Sequence, residues 1–149
     1  MNTMKTGEKV FVIVYRPNKH SLEFLCLLPN PEPNRNSDYY VITGGVENGE
    51  SFEAAALRET EEEIGIKTND IIDLHNQIKY KDHITFKSYT EHCYAVKVKD
   101  EAIILNEEHV GYKWVSADEF VNTIWWDKDK RTELQQMLEI VQNYESQTQ

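Results

Sequence analysis

Apolar residues fall in short runs along the first two thirds of the chain and at helical spacing near its end. Lys9 to Tyr15 and Leu22 to Leu28 are dense in branched and aromatic residues and short enough to be strands. After them comes PNPEPNRNSD, whose prolines and asparagines favour turns, and then a brief apolar stretch from Tyr39 to Ile42. Further strands are expected at Ile71 to Tyr80, Thr85 to Thr90 and Cys93 to Val98. Ser116 with Glu119 three residues on predicts a capping box opening a short helix to about Ile124. Leu134, Met137, Leu138 and Val141 then give a last helix one apolar face. Helices on both sides of a central mixed sheet follow from this order, an α/β chain without repeats or a linker.

The polar pattern is most unusual from Gly44 to Ile66, GGVENGESFEAAALRETEEEIGI, where four of the five residues from Glu59 to Glu63 are glutamates. At about 100° of rotation per residue, Glu59, Glu62 and Glu63 share one helix face, while Glu61 points well away from Glu63. Like charges at such spacing repel by a few tenths of a kcal/mol per pair. A hard cation such as magnesium, which takes carboxylate and phosphate oxygens, turns that cost into binding. Alone, the run fits a metal site or a solvated acidic face, the commoner use of a charge run.

The flanks favour the site. Gly44 and Gly45 follow the Tyr39 to Ile42 stretch and precede Gly49, which reads as strand, glycine loop, helix. Ser51 is placed to cap the helix, Glu53 lies in its first turn, and Gly65 supplies a left-handed stop. Leu57, Thr60 and Ile64 lie opposite the acidic face and are expected to bury against the sheet, leaving the carboxylates toward a cleft.

Gly44, Glu50, Arg58, Glu59, Glu62, Glu63, Gly65 and Ile66 stand in the register of G-x5-E-x7-R-E-U-x-E-E-x-G-U, with U aliphatic. This segment resembles the box of the Nudix hydrolases. The departure is Thr60 at an aliphatic position, and threonine keeps nearly the shape of valine. The resemblance implies an α/β/α sandwich with a central mixed sheet and a Mg²⁺-dependent hydrolase, with Mn²⁺ as the other candidate ion. It makes Glu59 and Glu63 the primary metal ligands and Glu62 a further or water-mediated one. By the same resemblance Arg58 orients the acidic face and Glu50 is an outer carboxylate, where the bland alternative for both is surface pairing. The backbone around Thr43, Gly44 and Gly45 is expected beside metal or phosphate, glycine allowing close approach.

Downstream, NEEHVGYKWVSADEF carries E-H-x-x-Y-x-W. With Thr43 ahead of the box glycine and the tail TIWWDKDKRTELQQMLEIV, it is most similar to the dihydroneopterin triphosphate pyrophosphatases, also labelled dATP pyrophosphohydrolases. That match makes Glu108 a ligand or base from a loop facing the box helix and places His109 beside the substrate. Glu62, Glu63 and Glu108 are the candidates for the base. Arg35 is the one arginine in the Pro-Asn loop, where the related enzymes carry substrate-binding arginines. The asymmetric diadenosine tetraphosphate hydrolases are the alternative. They share E-H-x-x-Y-x-W but carry a tyrosine where Asp82 stands, and Tyr80 is near. A non-catalytic nucleotide sensor is a third reading, weakened by the intact glutamates.

The rest of the composition sets limits. A chain of 149 residues is expected to be one domain, residues 1–149. A formal charge of −10 argues against a nucleic-acid polymer as partner and suits a small phosphorylated substrate bound through divalent ions. No apolar run has membrane-span length, and the first residues lack a signal-peptide core, so a cytoplasmic monomer or homodimer is expected. Cys26 and Cys93 match no metal spacing and are expected to be buried free thiols. Trp125 and Trp126 are expected to pack beneath the last helix.

Overall fold

In the computed structural model, residues 4–31, 38–124 and 128–148 are described. Arg35, Trp125 and Trp126 fall outside them. The strands are β1 (Met4–Asn18), β2 (Ser21–Pro29), β3 (Ile42–Glu47), β4 (Ile71–Lys81), β5 (Ser88–Lys97) and β6 (His109–Val115). The helices are α1 (Phe52–Ile64), α2 (Ala117–Ile124) and α3 (Lys128–Gln147).

β1 organises the sheet because it is apolar toward both faces. Val10, Phe11, Val12, Ile13, Val14 and Tyr15 are all at most 2% exposed, as in a strand covered on both sides. Phe11, Ile13 and Tyr15 pack with Phe120, Leu134, Met137 and Val141 of α2 and α3. Val10, Val12 and Val14 pack with Ala55, Ala56 and Ile64 of α1. The expected α/β/α layering is thus realised. The sheet is mixed, since β1 pairs with β5 in parallel from Glu8↔Thr90 to Tyr15↔Lys97 and with β2 and β3 antiparallel.

The other edge of β1 is divided. β3 takes it from Met4 to Val12 and β2 from Tyr15 to Asn18. From Phe24 onward β2 instead pairs with β6. A lone bridge, Leu27↔Tyr40, joins the diverging halves. The sheet therefore splays at one end, between β3 and the β2–β6 pair.

Two expectations are corrected. Tyr39 to Ile42 is not a strand ahead of a glycine loop. β3 starts at Ile42 and runs through Gly44 and Gly45, whose backbones are held in register against Val10 and Lys9. Thr85 to Thr90 and Cys93 to Val98 are not two strands. Asp82 Oδ1 accepts from the amides of Ile84 (2.7 Å) and Thr85 (3.2 Å), which fixes a turn and leaves one continuous strand from Ser88. Glu108 stands in a turn, as expected of a loop residue, and β6 begins just after it at His109.

Local signals elsewhere act as expected. Ser51 Oγ accepts from Ala54 N at 3.1 Å, and Gly65 closes α1 at φ 74°. Thr60 is fully buried and its hydroxyl donates to Ala56 O at 2.8 Å, so the unusual box residue leaves no polar group unpaired. Leu57 is only partly buried. Ser116 Oγ caps Glu119 N at 3.3 Å, but Glu119 turns to Lys113 at 3.9 Å, so half of the capping box forms. Both cysteines are buried free thiols, and burial pushes the Cys26 thiol up to about 12. No described helix is long and apolar enough to cross a membrane.

Candidate active site

The acidic face of α1 is organised by Arg58. Its Nε donates to Glu50 Oε2 at 2.8 Å and its Nη2 to Glu50 Oε1 at 3.0 Å, a two-point grip across eight residues. Nη2 also donates to Gly45 O at 2.9 Å, and Nη1 to Glu59 Oε1 at 3.0 Å. Glu62 lies 3.3 Å from the same Nη1. This is no loose surface pair, because the Arg58 side chain is 24% exposed and Glu50 14%. The hydrogen bonds from Arg58 hold the Glu50 carboxyl below its ordinary range.

Arg58 thereby separates three glutamates that share a helical wheel. Glu62 is left half exposed outside the cleft, at 53% for its side chain. Glu59 is drawn inward toward β3, where Gly44 makes room. A Cβ on Gly44 would lie 2.1 Å from Glu59 Cδ, so that carboxylate occupies the space a side chain would need. Glu63 goes deepest, at 3% exposed.

The second wall comes from residues 104–109, zipped to the end of α1. Ile104 N donates to Ile64 O at 2.9 Å and Asn106 N to Glu63 O at 3.4 Å. Asn106 Oδ1 then accepts from Glu108 N at 3.1 Å and contacts His109 Nδ1 at 3.4 Å. The result sets Glu108 and His109 against Glu63, with one ligand-type atom from each within 4.8 Å of the others. His109 Nε2 is 3.7 Å from Glu63 Oε1.

The charge balance of this group points to a cation. Burial, then Glu59, Glu108 and Glu62, pushes the Glu63 carboxyl up to about 9, and burial outweighs Arg58 to bring Glu59 up to about 6. Glu63 Oε2 is buried and accepts no hydrogen bond among the described residues. A buried, unpaired carboxylate oxygen facing further carboxylates is costly without a positive ligand. Oxygen-rich donors suit a hard divalent ion, so these residues fit one.

A cavity of about 440 Å³ opens beside the group, at the splayed end of the sheet. Glu63, Glu108, His109, Thr43, Tyr40 and Lys9 are on its wall. Of the residues expected there, Thr43 and His109 line it, while Gly44 backs Glu59 and the Gly45 carbonyl is engaged by Arg58. Lys9, Tyr40 and Asn106 were not singled out from sequence. Lys9 and Tyr40 sit in strand-like apolar stretches with nothing to mark them as lining residues.

Glu108 and Glu107 differ in a testable way. Both are exposed, but Glu108 belongs to the three-residue group and Glu107 lies outside it. Glu108→Gln is expected to lower kcat/KM by about tenfold or more and shift its magnesium dependence upward, and Glu107→Gln to change it by less than about twofold. Equal effects in a magnesium titration of both variants would remove Glu108 from the site.

Comparison with known proteins agrees with this geometry. The model of the NUDIX domain family matches residues 5–137, and the chain belongs to the Nudix family. Two curated relatives are the bis(5'-nucleosyl)-tetraphosphatases (asymmetrical) of Rattus norvegicus and Sus scrofa. The rat protein is 33% identical over 92 residues, 60% of this chain and 63% of its own, so the match spans just under two thirds of that relative. The pig protein is 32% identical over 110 residues, 72% of this chain and 73% of its own. Among solved structures, a C. elegans Ap4A hydrolase binary complex superposes with a TM-score of 0.72 at 21% identity, covering 91% of this chain and 98% of that one. The E. coli dihydroneopterin triphosphate pyrophosphohydrolase does so at 0.71 and 22%, covering 90% and 96%. At these identities the structures share the fold.

Proposed function

We propose that this chain is a divalent-cation-dependent pyrophosphohydrolase acting on a nucleoside or pterin triphosphate, releasing the monophosphate and pyrophosphate. The observation that carries this reading is Glu63, buried beside Glu59, Glu108 and His109 with one carboxylate oxygen unpaired among the described residues. Glu59, Glu63 and Glu108 are the residues that hold the ion, magnesium by their oxygen donors, with manganese admitted by the neighbouring imidazole. When bound, such an ion supplies charge neutralisation at the phosphoryl oxygens and lowers the pKa of a water.

The remaining work belongs to the protein. Glu63 and Glu108 are the carboxylates placed to take the water's proton, since Glu62 is engaged by Arg58 outside the cleft. Arg58, fixed through Glu50 and Gly45 O, keeps Glu59 turned toward β3. Lys9 brings a cation to the cavity wall for the anionic chain of the substrate.

A second reading, hydrolysis of a dinucleoside polyphosphate, is favoured by the rat and pig relatives, whose names carry that activity. A screen of nucleoside triphosphates, dihydroneopterin triphosphate and diadenosine tetraphosphate, with products resolved, tests both. Pyrophosphate release from a triphosphate supports the first reading. A mononucleotide with the complementary nucleoside triphosphate from the tetraphosphate alone supports the second. Excess chelator is expected to abolish turnover and added Mg²⁺ to restore it, and full activity in chelator would overturn the metal assignment.

A further inference from the structure

Asn106 touches every member of the group formed by Glu63, Glu108 and His109. Its backbone N–H donates to Glu63 O at 3.4 Å. Its side-chain Oδ1 accepts from Glu108 N at 3.1 Å and meets His109 Nδ1 at 3.4 Å. The turn has a second support at the end of β2, where Asn30 N donates to Glu108 O at 2.8 Å and Asn30 Nδ2 to Glu107 O at 3.1 Å.

These contacts decide how the amide and the ring face. A backbone N–H can only donate, so the Asn106 atom that meets Glu108 N is the carbonyl oxygen and not the amino group. That oxygen can only accept, so the His109 Nδ1 beside it carries a proton. A neutral imidazole has one N–H, which leaves the lone pair on Nε2. His109 Nε2 lies 3.7 Å from Glu63 Oε1, longer than a hydrogen bond. It belongs to a group that offers one ligand-type atom per residue, all within 4.8 Å of one another. A lone pair beside carboxylate oxygens needs a shared cation or a proton between them.

We propose that Asn106 is a positioning residue that presents His109 Nε2 as a nitrogen ligand to the ion held by the glutamates. The assignment rests on the divalent-cation reading and adds to it a ligand, its tautomer and the residue that fixes both. Holding the far N–H of a ring on a carbonyl oxygen orients a metal-bound histidine and raises its donor strength. Nitrogen among the donors also makes the site discriminate, since Mn²⁺ takes imidazole more readily than Mg²⁺, which keeps to oxygen.

The competing role for His109 is an imidazolium paired with Glu63, with Asn106 only shaping the turn. Pulsed electron paramagnetic resonance of the protein with one equivalent of Mn²⁺ separates the two, because a directly bound imidazole modulates the echo through its nitrogen. Wild type is expected to show this modulation and His109→Leu to lose it. Asn106→Asp keeps an oxygen for both donors and should preserve it, with Mn²⁺ affinity within about threefold of wild type. Asn106→Leu removes that oxygen, and calorimetry should show Mn²⁺ binding weakened by at least about tenfold and Mg²⁺ binding by less than about threefold. Asn30 still holds the turn in this variant, and a thermal melt matching wild type secures its fold. Equal losses of Mn²⁺ and Mg²⁺ affinity in Asn106→Leu would overturn the assignment. Mn²⁺ bound to wild type without nitrogen modulation would overturn it and leave the cation reading standing, whereas no Mn²⁺ binding at all would remove both.

Discussion

Glu63→Gln is expected to lower kcat by about a thousandfold or more while making the metal-free protein more stable. The two effects have one origin. Burial and neighbouring carboxylates raise Glu63 from its ordinary range to about 9, so the folded chain resists its ionisation. The sign follows from linkage. Any stability tied to the protonated group is present below about pH 4.5 and is lost as pH rises toward 9. At pH 7 this loss is on the order of a few kcal/mol, and glutamine, which never ionises, avoids it. The melting temperature of the metal-free variant should exceed that of wild type by several degrees, with the gap widening toward pH 9. Adding Mg²⁺ should raise the wild-type value and leave the variant nearly unmoved. A variant within tenfold of wild-type activity, or one still stabilised by Mg²⁺ as wild type is, would place the ion elsewhere.

Gly44→Ala is expected to lower kcat/KM by about a hundredfold with little change in stability. The new Cβ would meet Glu59 Cδ at 2.1 Å and its two oxygens at 2.3 and 2.6 Å. These atoms are the far end of a flexible side chain, so the fold yields easily. The yielding displaces a proposed metal ligand and breaks its contact with Arg58. Gly49→Ala is the contrasting control. Gly49 has φ 82° and nothing within 4 Å of the added atom, so alanine there costs about 1 kcal/mol of backbone strain and leaves the site alone. Measuring melting temperature and kcat/KM for both variants should show opposite patterns. A Gly44→Ala protein with normal kcat/KM would mean that the position of Glu59 is immaterial.

Much of this was legible in the sequence wherever the cause is local. Ser51 and Gly65 bound α1 because a side-chain cap and a left-handed glycine act within a few residues. The box spacing announces which carboxylates gather. Helical rotation alone, however, places Glu59, Glu62 and Glu63 together, and it is Arg58, tied to Gly45 O and Glu50, that sorts them into inside and outside. The glycines of β3 read as a loop, because their extended backbone is imposed by pairing with β1 more than thirty residues earlier in the chain. Thr85 and its neighbours have strand composition but lose to the amide bonds that Asp82 accepts. Lys9, Tyr40 and Glu63 meet only through the fold, and no spacing within the chain links them.

Because β2 and β3 divide one edge of β1, residues on the cavity wall rest on different cores. Ile64, next to Glu63, and Leu27 pack in the core on the α1 side, whereas Tyr40 and Val41 pack with the α2 and α3 side. A substitution that reshapes the second core leaves the packing behind Glu63 untouched. Such a scaffold can drift on one face of the sheet while the packing beside the carboxylates on the other is kept.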